Sequence, residues 1–322
     1  MAALYALLAV IWSSTWVAIK IGLEDCPPLL GAGIRFALAG LLLLGIAAAR
    51  GRSLGTDLRL AATLALLPFA FAYGLVYWGE QYIPSGLAAV LFGMMPLYTA
   101  LLGSVLLPDQ PLRARLVVGI LVAIGGLALA FAESIDAGDP ELALAGAAAL
   151  ALSPLGAALG TIAQKLRAGG LDAIVLNGWA MTGGGLALLA LSGLGEDWSE
   201  LALTAEALGS IAYLAVAGSA VTFVGVTVLL RQISAQAMSF LALILPFGAL
   251  VFGALLYGEG ITLRALGGAG LVGAGLLIAQ AARRSPPDVE SLESPAGVRE
   301  ARDAQAASAG LGPARADRIQ VP

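Results

Sequence analysis

Histidine is absent from this 322-residue chain, and cysteine occurs only once, at Cys26. Imidazole proton relays and histidine-bound metals are therefore excluded, and the lone thiol cannot form an internal disulfide. Charged residues are also few, at 12% of the chain, whereas apolar residues make up 59%. Soluble domains average about 25% charged residues. This balance predicts an all-α membrane protein without a metal site or cofactor.

Apolar runs of about 20 residues, the length that crosses roughly 30 Å of hydrocarbon, recur along the chain. We predict ten transmembrane helices. The first is expected to be retained rather than cleaved, because no basic segment precedes it. The first five are predicted over 3–22, 28–49, 60–79, 84–107 and 115–132. The second five are predicted over 142–164, 172–193, 207–230, 235–257 and 264–282.

The chain contains an internal repeat. Residues 62–127 and 212–277 carry the same pattern of apolar runs and breaks at an offset of 150, which places Pro96 on Pro246. A repeat determines the architecture, and five spans per copy require the second copy to be inverted in the membrane, an arrangement typical of alternating-access transporters. The predicted parts are a first five-helix repeat at 1–132, an outer linker at 133–141, a second repeat at 142–282 and a tail at 283–322.

Basic residues are distributed unequally between the predicted loops. Ten lie on the side of the two termini, and two, Lys20 and Arg264, lie on the other side. The positive-inside rule therefore places both termini in the cytoplasm of a protein of the cell (inner) membrane. Residues 283–322 have few large apolar side chains and are expected to form a disordered cytoplasmic tail. The net charge of −4 gives no indication of a nucleic-acid partner.

Short motifs in both predicted repeats resemble those of one membrane-protein family. The first two spans carry Trp12-Ser13-Ser14-Thr15-Trp16 with Lys20, and Pro27-Pro28 with Arg35-Phe36. The fourth and ninth spans carry Met95-Pro96-Leu97, Gly103 and Leu106-Leu107-Pro108-Asp109, and Leu245-Pro246-Phe247, Gly253 and Leu256-Tyr257-Gly258-Glu259. Over about 1–282 the chain resembles the EamA-type transporters of the drug/metabolite transporter superfamily, with Asp109 in place of the usual glutamate. The resemblance implies export or exchange of small metabolites, amino acids among them.

Arg35 is the clearest candidate for a functional charge, because an ionisable side chain within a membrane span is energetically unfavourable unless it has a role. Its guanidinium could bind a substrate carboxylate through two parallel hydrogen bonds. Two alternatives remain open: packing between helices with bonds to backbone carbonyls, and extension of the side chain to the outer surface. Lys20, near the end of the first span, is expected to extend to the interface in this way; the alternative is that it lends positive potential to the outer mouth of the cavity.

Aromatic and hydroxyl side chains cluster at mid-depth in the first predicted span. Trp12 and Trp16 share a helix face because they are four positions apart, and Ser14 lies between them. Such a surface suits a small amphipathic solute, so we interpret these three residues as candidate substrate-binding residues. The alternative is helix packing, with the hydroxyls bonded to the preceding turn.

Three further aromatic residues are candidates for substrate binding. Tyr73 and Tyr77 lie on one face of the third span and could line the same cavity, whereas Glu80 beyond them is expected to be solvated. Trp179 of the seventh span is near the level that repeat matching assigns to Arg35. Helix packing explains Trp179 equally well.

Prolines and glycines mark expected bends and close contacts. Pro96 and Pro246 are candidate gating hinges, because a proline within a helix removes a backbone hydrogen bond and bends it; static kinks are the alternative. Glycines in the fifth and tenth spans predict close helix packing, within the subunit or in a homodimer. These glycines are Gly119, Gly125, Gly126, Gly267, Gly268, Gly270, Gly273 and Gly275.

The pattern favours a secondary transporter that acts on a small solute within the lipid bilayer. Catalysis is not expected, because no HExxH, GxSxG or nucleotide-binding loop is present. The acidic residues fall at span ends or in loops, which favours facilitated export or exchange over proton-driven pumping. Transport of drugs or of nucleotide- or lipid-linked sugars, and signalling through the tail as a receptor, remain alternatives.

Overall fold

The computed structural model describes residues 2–106, 114–131, 139–199, 201–239, 241–258, 260 and 262–281. One compact unit comprises residues 1–279. The predicted tail, most of the predicted linker, Asp109 and Glu259 lie outside the described residues.

The described residues are helical, and no strand occurs among them. The first half contains α1 (Ala2–Leu23), α2 (Pro28–Ala49), α3 (Leu58–Leu64), α4 (Tyr73–Glu80), α5 (Ser85–Phe92), α6 (Met95–Leu106) and α7 (Ala114–Phe131). The second half contains α8 (Pro140–Arg167), α9 (Ala173–Gly195), α10 (Ala205–Ala215), α11 (Thr222–Leu230), α12 (Ala235–Ser239), α13 (Leu241–Phe252) and α14 (Leu263–Ala281). Segments of π-helix join α3 to α4 and α10 to α11, and a third follows α13; their bounds are Ala65–Ala72, Val216–Val221 and Gly253–Tyr257.

Within these described ranges, 7 helical segments are long and apolar enough to cross a membrane. This finding confirms an all-helical, multi-pass membrane protein. Helices α7, α13 and α14 lie where the sequence predicts the fifth, ninth and tenth spans. The total of ten spans and the inversion of the second repeat stay predictions.

Three of the helices have an acidic residue as the N-cap, whose side chain accepts hydrogen bonds from otherwise unpaired backbone N–H groups. Asp57 caps α3, Asp139 caps α8 and Asp172 caps α9. Two of these caps also form ion pairs, Asp172 with Arg52 and Asp57 with Arg167, each at 2.7 Å. The loop between α2 and α3 is therefore tied to the loop between α8 and α9.

Partial burial opposes ionisation of Asp172, but bonds from Arg52 and from the backbone N–H groups of Ile174 and Val175 outweigh it and lower the pKa. The Leu60 N–H, which donates to Asp57, is the main cause of the lowered pKa of that carboxyl. A carboxyl whose pKa is lower in the folded protein than its unfolded value of 3.8 stabilises the fold at pH values above 3.8. This stabilisation is lost as the pH falls through the pKa of the folded state. Both ion pairs are therefore formed at neutral pH.

Replacing Asp172 by alanine should destabilise the protein more than replacing it by asparagine. Asparagine retains the helix cap and loses only an exposed ion pair, worth about 0–1 kcal/mol. Alanine also loses the cap, worth about 0.5–2 kcal/mol. Apparent melting temperatures of the two purified variants in detergent test this order. Equal melting temperatures would show that the cap contributes nothing.

Helices α2 and α9 cross closely because both present glycines at the contact. A Cβ atom on Gly40 would lie 2.7 Å from the Gly178 carbonyl oxygen, and one on Gly185 would lie 2.9 Å from the Gly33 carbonyl oxygen. Small residues allow membrane helices to approach until backbone contacts backbone. Each of these two helices carries two such glycines, seven positions apart. Any side chain at these positions would force α2 and α9 apart.

Glycines also join α7 and α14 within the subunit. A Cβ atom on Gly126 would lie 2.7 Å from the Gly268 carbonyl oxygen, and one on Gly275 would lie 2.7 Å from the Ala123 nitrogen. The structure thus shows the close packing expected of the fifth and tenth predicted spans. A Cβ atom on Gly270 would have no atom of the described chain within 4 Å. A homodimer through this face stays a prediction.

Candidate functional site

An internal cavity of about 70 Å³ lies among α1, the segment from α3 to α6, α8 and α11–α13. Its wall is largely aromatic and aliphatic, and none of the described lining residues is charged. The described polar or aromatic residues of the wall are Trp12, Thr15, Trp16, Phe69, Tyr73, Phe92, Thr161, Gln164 and Phe223.

Matched positions of the two sequence copies line this cavity. Four pairs of lining residues are separated by the 150 positions of the repeat: Tyr73 and Phe223, Val76 and Val226, Phe92 and Ala242, and Met95 and Leu245. The Tyr73 and Phe223 rings also touch each other, with centroids 6.0 Å apart. The cavity therefore lies between the two copies.

The two π-helical segments beside the cavity are matched in the same way. Residues 65–72 shifted by 150 become 215–222, and the second π-segment is Val216–Val221. Insertions of π-geometry are frequently found at functional sites. In the first segment Pro68 lies inside the helix, where its missing N–H disrupts regular α-helical bonding. The matched π-segment of the other copy contains no proline.

The Gly218 carbonyl of the second π-segment accepts three side-chain hydrogen bonds. Arg35 Nη2 donates at 3.0 Å, Trp12 Nε1 at 3.3 Å and Thr222 Oγ1 at 2.8 Å. The Gly218 carbonyl, which belongs to the second copy, thus accepts hydrogen bonds from two candidate residues of the first copy, Arg35 and Trp12. A Cβ atom on Gly218 would lie 2.8 Å from Thr15 Cγ2, so the close approach requires glycine.

Arg35 is fully buried, at 0% exposure, one layer behind the cavity wall. Its Nε donates to Ser219 Oγ at 2.8 Å, and its Nη1 donates to Tyr77 Oη at 3.3 Å. The guanidinium carbon lies 4.9 Å from the Phe36 ring centroid and 5.0 Å from that of Tyr73. This environment excludes extension of the side chain to the outer surface. It supports the interpretation of Arg35 as a helix-packing residue.

The two tryptophans of α1 both line the cavity, but their indole N–H groups differ. Trp12 donates to the Gly218 carbonyl and packs edge-on against Phe223, with ring centroids 5.3 Å apart. Trp16 packs against Phe92 at 5.5 Å, and its buried Nε1 has no hydrogen-bond partner in the described part of the chain. Trp16 therefore carries a donor that is available to a bound solute.

The remaining predicted site residues lie elsewhere. Ser14 donates to the Ile11 carbonyl at 2.8 Å and lies 2.6 Å from the Tyr213 hydroxyl oxygen, away from the cavity wall. Trp179 is 39% exposed and donates to the Leu54 carbonyl at 2.9 Å. Tyr77 lies behind the wall with Arg35.

The two predicted hinge prolines adjoin the cavity through their neighbours. Met95 and Leu245, which immediately precede Pro96 and Pro246, are lining residues. Pro96 lies in the first turn of α6, whereas Pro246 lies inside α13. Their role as gates stays a prediction.

Sequence reasoning missed Gln164 and misplaced Glu80 and Lys20. Gln164 lines the cavity and is 6% exposed; its spacing from Gly160 and Thr161 on one face of α8 is the signal that could have identified it. Glu80 is fully buried rather than solvated. The Lys20 ammonium donates to the carbonyls of Glu80 and Ile83, at 2.7 and 3.1 Å, because cations bind the unpaired carbonyls at a helix end.

A second, acidic cleft of about 440 Å³ lies at the loop between α1 and α2. Its carboxylates serve the fold: Glu196 accepts from the Leu29 and Leu30 N–H groups, and Asp25 accepts from Thr204. Burial, followed by the charges of Glu196 and Asp25, raises the pKa of Cys26 to about 11, so the thiol stays protonated at neutral pH. Among the described residues no group of three His, Cys, Asp or Glu is arranged to hold a metal ion.

Known proteins resemble this chain over most of its length. YoaV of Bacillus subtilis, named an uncharacterized transporter, is 27% identical over 274 residues, which are 84% of this chain and 93% of YoaV. YedA of Escherichia coli strain K12, named an uncharacterized inner membrane transporter, is 31% identical over 256 residues, 77% of this chain and 80% of YedA. A solved crystal structure has a similar fold, with a TM-score of 0.64 at 17% identity over 88% of this chain and 97% of that one.

The profile of the EamA-like transporter family matches the chain twice, over residues 1–132 and 144–280. These bounds lie close to those of the two repeats recognised in the sequence, 1–132 and 142–282. The matched lining of the cavity comes from the same two segments. The protein is therefore a multi-pass membrane protein that belongs to the EamA-like transporter family.

Proposed function

We propose that the protein is a secondary transporter that exports or exchanges small amphipathic metabolites, amino acids and related solutes among them. Alternating access would occur at the cavity between the two inverted repeats. The observation that carries this proposal is the cavity lined by matched residues of both copies, none of whose described lining residues is charged. A cavity that both halves share can open to either side when the halves move relative to each other.

The matched irregularities of the helices support a movement at this level of the fold. Each copy contributes a π-helical segment beside the cavity and a proline immediately after a lining residue. The π-segments, and Pro246 inside α13, weaken regular helical bonding, so bending there disrupts fewer hydrogen bonds, whereas Pro96 lies at the start of α6. We propose that Pro96 and Pro246 act as hinges for the two copies.

The wall favours a small solute with an apolar or aromatic part. Trp12, Tyr73 and Phe223 offer ring surface, and aromatic pairs prefer edge-on or offset contacts of the kind these rings already make. A nucleotide-linked sugar would bring phosphate charges to a wall whose described residues include no cation. A cationic drug would meet no carboxylate there.

Replacing Trp12 by alanine should reduce transport about tenfold, the equivalent of one aromatic contact. A transported solute is first identified by overexpressing the protein against a panel of toxic amino acids, nucleosides and cationic drugs and measuring intracellular accumulation. Efflux of that solute is then compared between variants present at equal levels in the membrane.

Trp78→Ala is the matched control, because Trp78 lines the acidic cleft and packs on Tyr82 at 5.2 Å rather than on the cavity. The control should leave efflux near that of the parent protein. A larger loss in Trp78→Ala than in Trp12→Ala would move the solute pathway away from α1. No altered accumulation for any compound in the panel would contradict the transporter proposal.

A further inference from the structure

Two polar side chains in the wall of the cavity are not used by the fold. The Trp16 indole N–H has no partner among the described residues although the side chain is 95% buried, at 5% exposure. At Gln164, which is 6% exposed and lines the same cavity, the described hydrogen bonds involve the backbone carbonyl and not the side-chain amide. Fully buried polar groups in proteins are nearly always hydrogen-bonded, so the Trp16 N–H, beside an amide group that lines the same cavity, needs an explanation.

The neighbouring polar groups of the wall show what a structural role looks like. Thr15 Oγ1 donates to the Trp12 carbonyl at 2.7 Å, and Thr161 Oγ1 donates to the Ala157 carbonyl at 2.9 Å. The Trp12 N–H is bonded to Gly218, as described above. These groups are satisfied within the protein, whereas Trp16 and Gln164 leave an indole donor and an amide group for something that enters the cavity.

We propose that Trp16 and Gln164 bind the acceptor oxygen, carbonyl or carboxylate, of the transported solute. This inference rests on the proposed function and narrows its substrate class to related solutes that lack the ammonium group of an amino acid: an apolar or aromatic body with an oxygen acceptor at one end and no cationic group. The acceptor oxygen receives the Trp16 N–H and one Gln164 N–H. The body of the solute packs against the rings of Trp12, Tyr73 and Phe223.

The absence of carboxylates among the described lining residues gives the proposal its selectivity. An ammonium group in an apolar cavity loses its hydration, finds no carboxylate among the described lining residues, and cannot donate to the Trp16 indole, which is a donor only. An acceptor oxygen exchanges its water for two donors that otherwise stay unpaired. The cavity should therefore distinguish solutes of equal size and shape by the group attached to the ring.

The test measures binding of matched aromatic probes to the purified full-length protein in detergent by isothermal titration. Benzamide carries a neutral carbonyl, benzoate a carboxylate, and benzylamine a cation on the same ring. We expect benzamide or benzoate to bind and benzylamine to bind at least tenfold more weakly. Tighter binding of benzoate identifies a carboxylate head, and tighter binding of benzamide identifies a neutral carbonyl head.

Trp16→Phe and Gln164→Leu remove the two hydrogen-bonding groups and keep side chains of similar bulk. Each should weaken binding of the preferred probe about 3- to 10-fold, the usual contribution of one hydrogen bond. Thr63→Val is the matched control: it removes a hydroxyl that donates to the Arg59 carbonyl of its own helix at 2.8 Å and lies outside the cavity wall, so it should leave affinity unchanged. Melting temperatures without ligand establish that each variant is folded, and Gln164→Met replaces Gln164→Leu if the latter is not.

Unchanged affinity in folded Trp16→Phe and Gln164→Leu would overturn the proposal, as would equal binding of benzylamine. Binding is measured without transport, so the two proposals can fail separately. Probe binding that depends on Trp16 and Gln164 in a protein that moves no solute in cells would sustain this site and contradict the transporter function. Transport that is unchanged by both substitutions would sustain the transporter function and contradict this binding site.

Discussion

Gly40→Val is expected to prevent accumulation of folded protein in the membrane. A Cβ atom at this position would lie 2.7 Å from the Gly178 carbonyl oxygen and close to the backbone nitrogen of Thr182. Overpacking of a core typically destabilises a protein by about 1–3 kcal/mol. Here the obstructing atoms belong to the backbone of α9 and cannot rotate away, so we expect the free energy of unfolding to fall by about 3 kcal/mol or more. Size-exclusion profiles and melting temperatures in detergent measure this destabilisation.

Gly45→Val on the same helix is the matched control, because a Cβ atom there has no atom of the described chain within 4 Å. Both substitutions introduce the same β-branched side chain, so their difference isolates the contact with α9. The control should yield folded protein at close to the parent level. Similar melting temperatures for the two variants would show that α2 and α9 separate easily and that their glycine contact does not hold the subunit together.

Arg35→Ala is expected to destabilise the protein by about 2–5 kcal/mol, the range for large-to-small changes in a core. The substitution leaves a cavity at a fully buried site. It also removes the hydrogen bonds that Arg35 donates to Ser219, Tyr77 and the Gly218 carbonyl. Buried acceptors left without donors add about 1–3 kcal/mol each in unfavourable cases. Thermal unfolding followed by circular dichroism, together with efflux per folded molecule, measures both consequences.

Two further variants separate packing from binding at Arg35. Arg35→Met restores most of the volume without the charge and should recover part of the stability lost in alanine. Arg35→Lys keeps the charge but not the planar fork that reaches three partners, so it should also be destabilised. If Arg35→Ala melts like the parent and loses only efflux, Arg35 contacts the solute and the packing interpretation is wrong.

The position of Arg35 explains why its loss should affect transport indirectly as well. It connects α2 of the first copy to the π-segment Val216–Val221 of the second, and it stacks on Tyr73, whose ring lines the cavity. A change at Arg35 therefore alters the wall of the site from behind. We expect a combined loss of stability and transport, not of transport alone.

Helix spacing predicts three residues of the cavity wall. Trp12 and Trp16, four positions apart, share one face, and Tyr73 is predicted together with Tyr77 to line the same cavity; Trp12, Trp16 and Tyr73 line it, and Tyr77 lies behind the wall. Ser14 and Trp179 were predicted with them, but their polar atoms bond Tyr213 and Leu54. Spacing identifies residues that share a helix face, but it does not show which neighbouring helix that face meets.

The errors at Lys20 and Glu80 have a common physical cause. Both residues lie near the ends of apolar runs, where a charged side chain ordinarily reaches water. In the folded protein α1 and α4 bring them together, and the carbonyls at the end of α4 bind the Lys20 ammonium. A contact between residues sixty positions apart has no signal in either apolar run.

The amino-acid sequence by itself determined where helices form, that the pattern occurs twice and which family the chain resembles. These properties follow from local requirements: in hydrocarbon every backbone polar group must be paired within its own segment, which demands long apolar helices. Only the tertiary structure decided which polar side chains are consumed by the fold and which remain for a solute. The Trp12 N–H is bonded to a carbonyl 206 positions away, whereas the Trp16 N–H, one turn further along, has no partner in the part of the chain that the structure describes. Hydrogen-bond partners of this kind are set by how distant helices pack, so the same residue type on the same helix face acquires a different role.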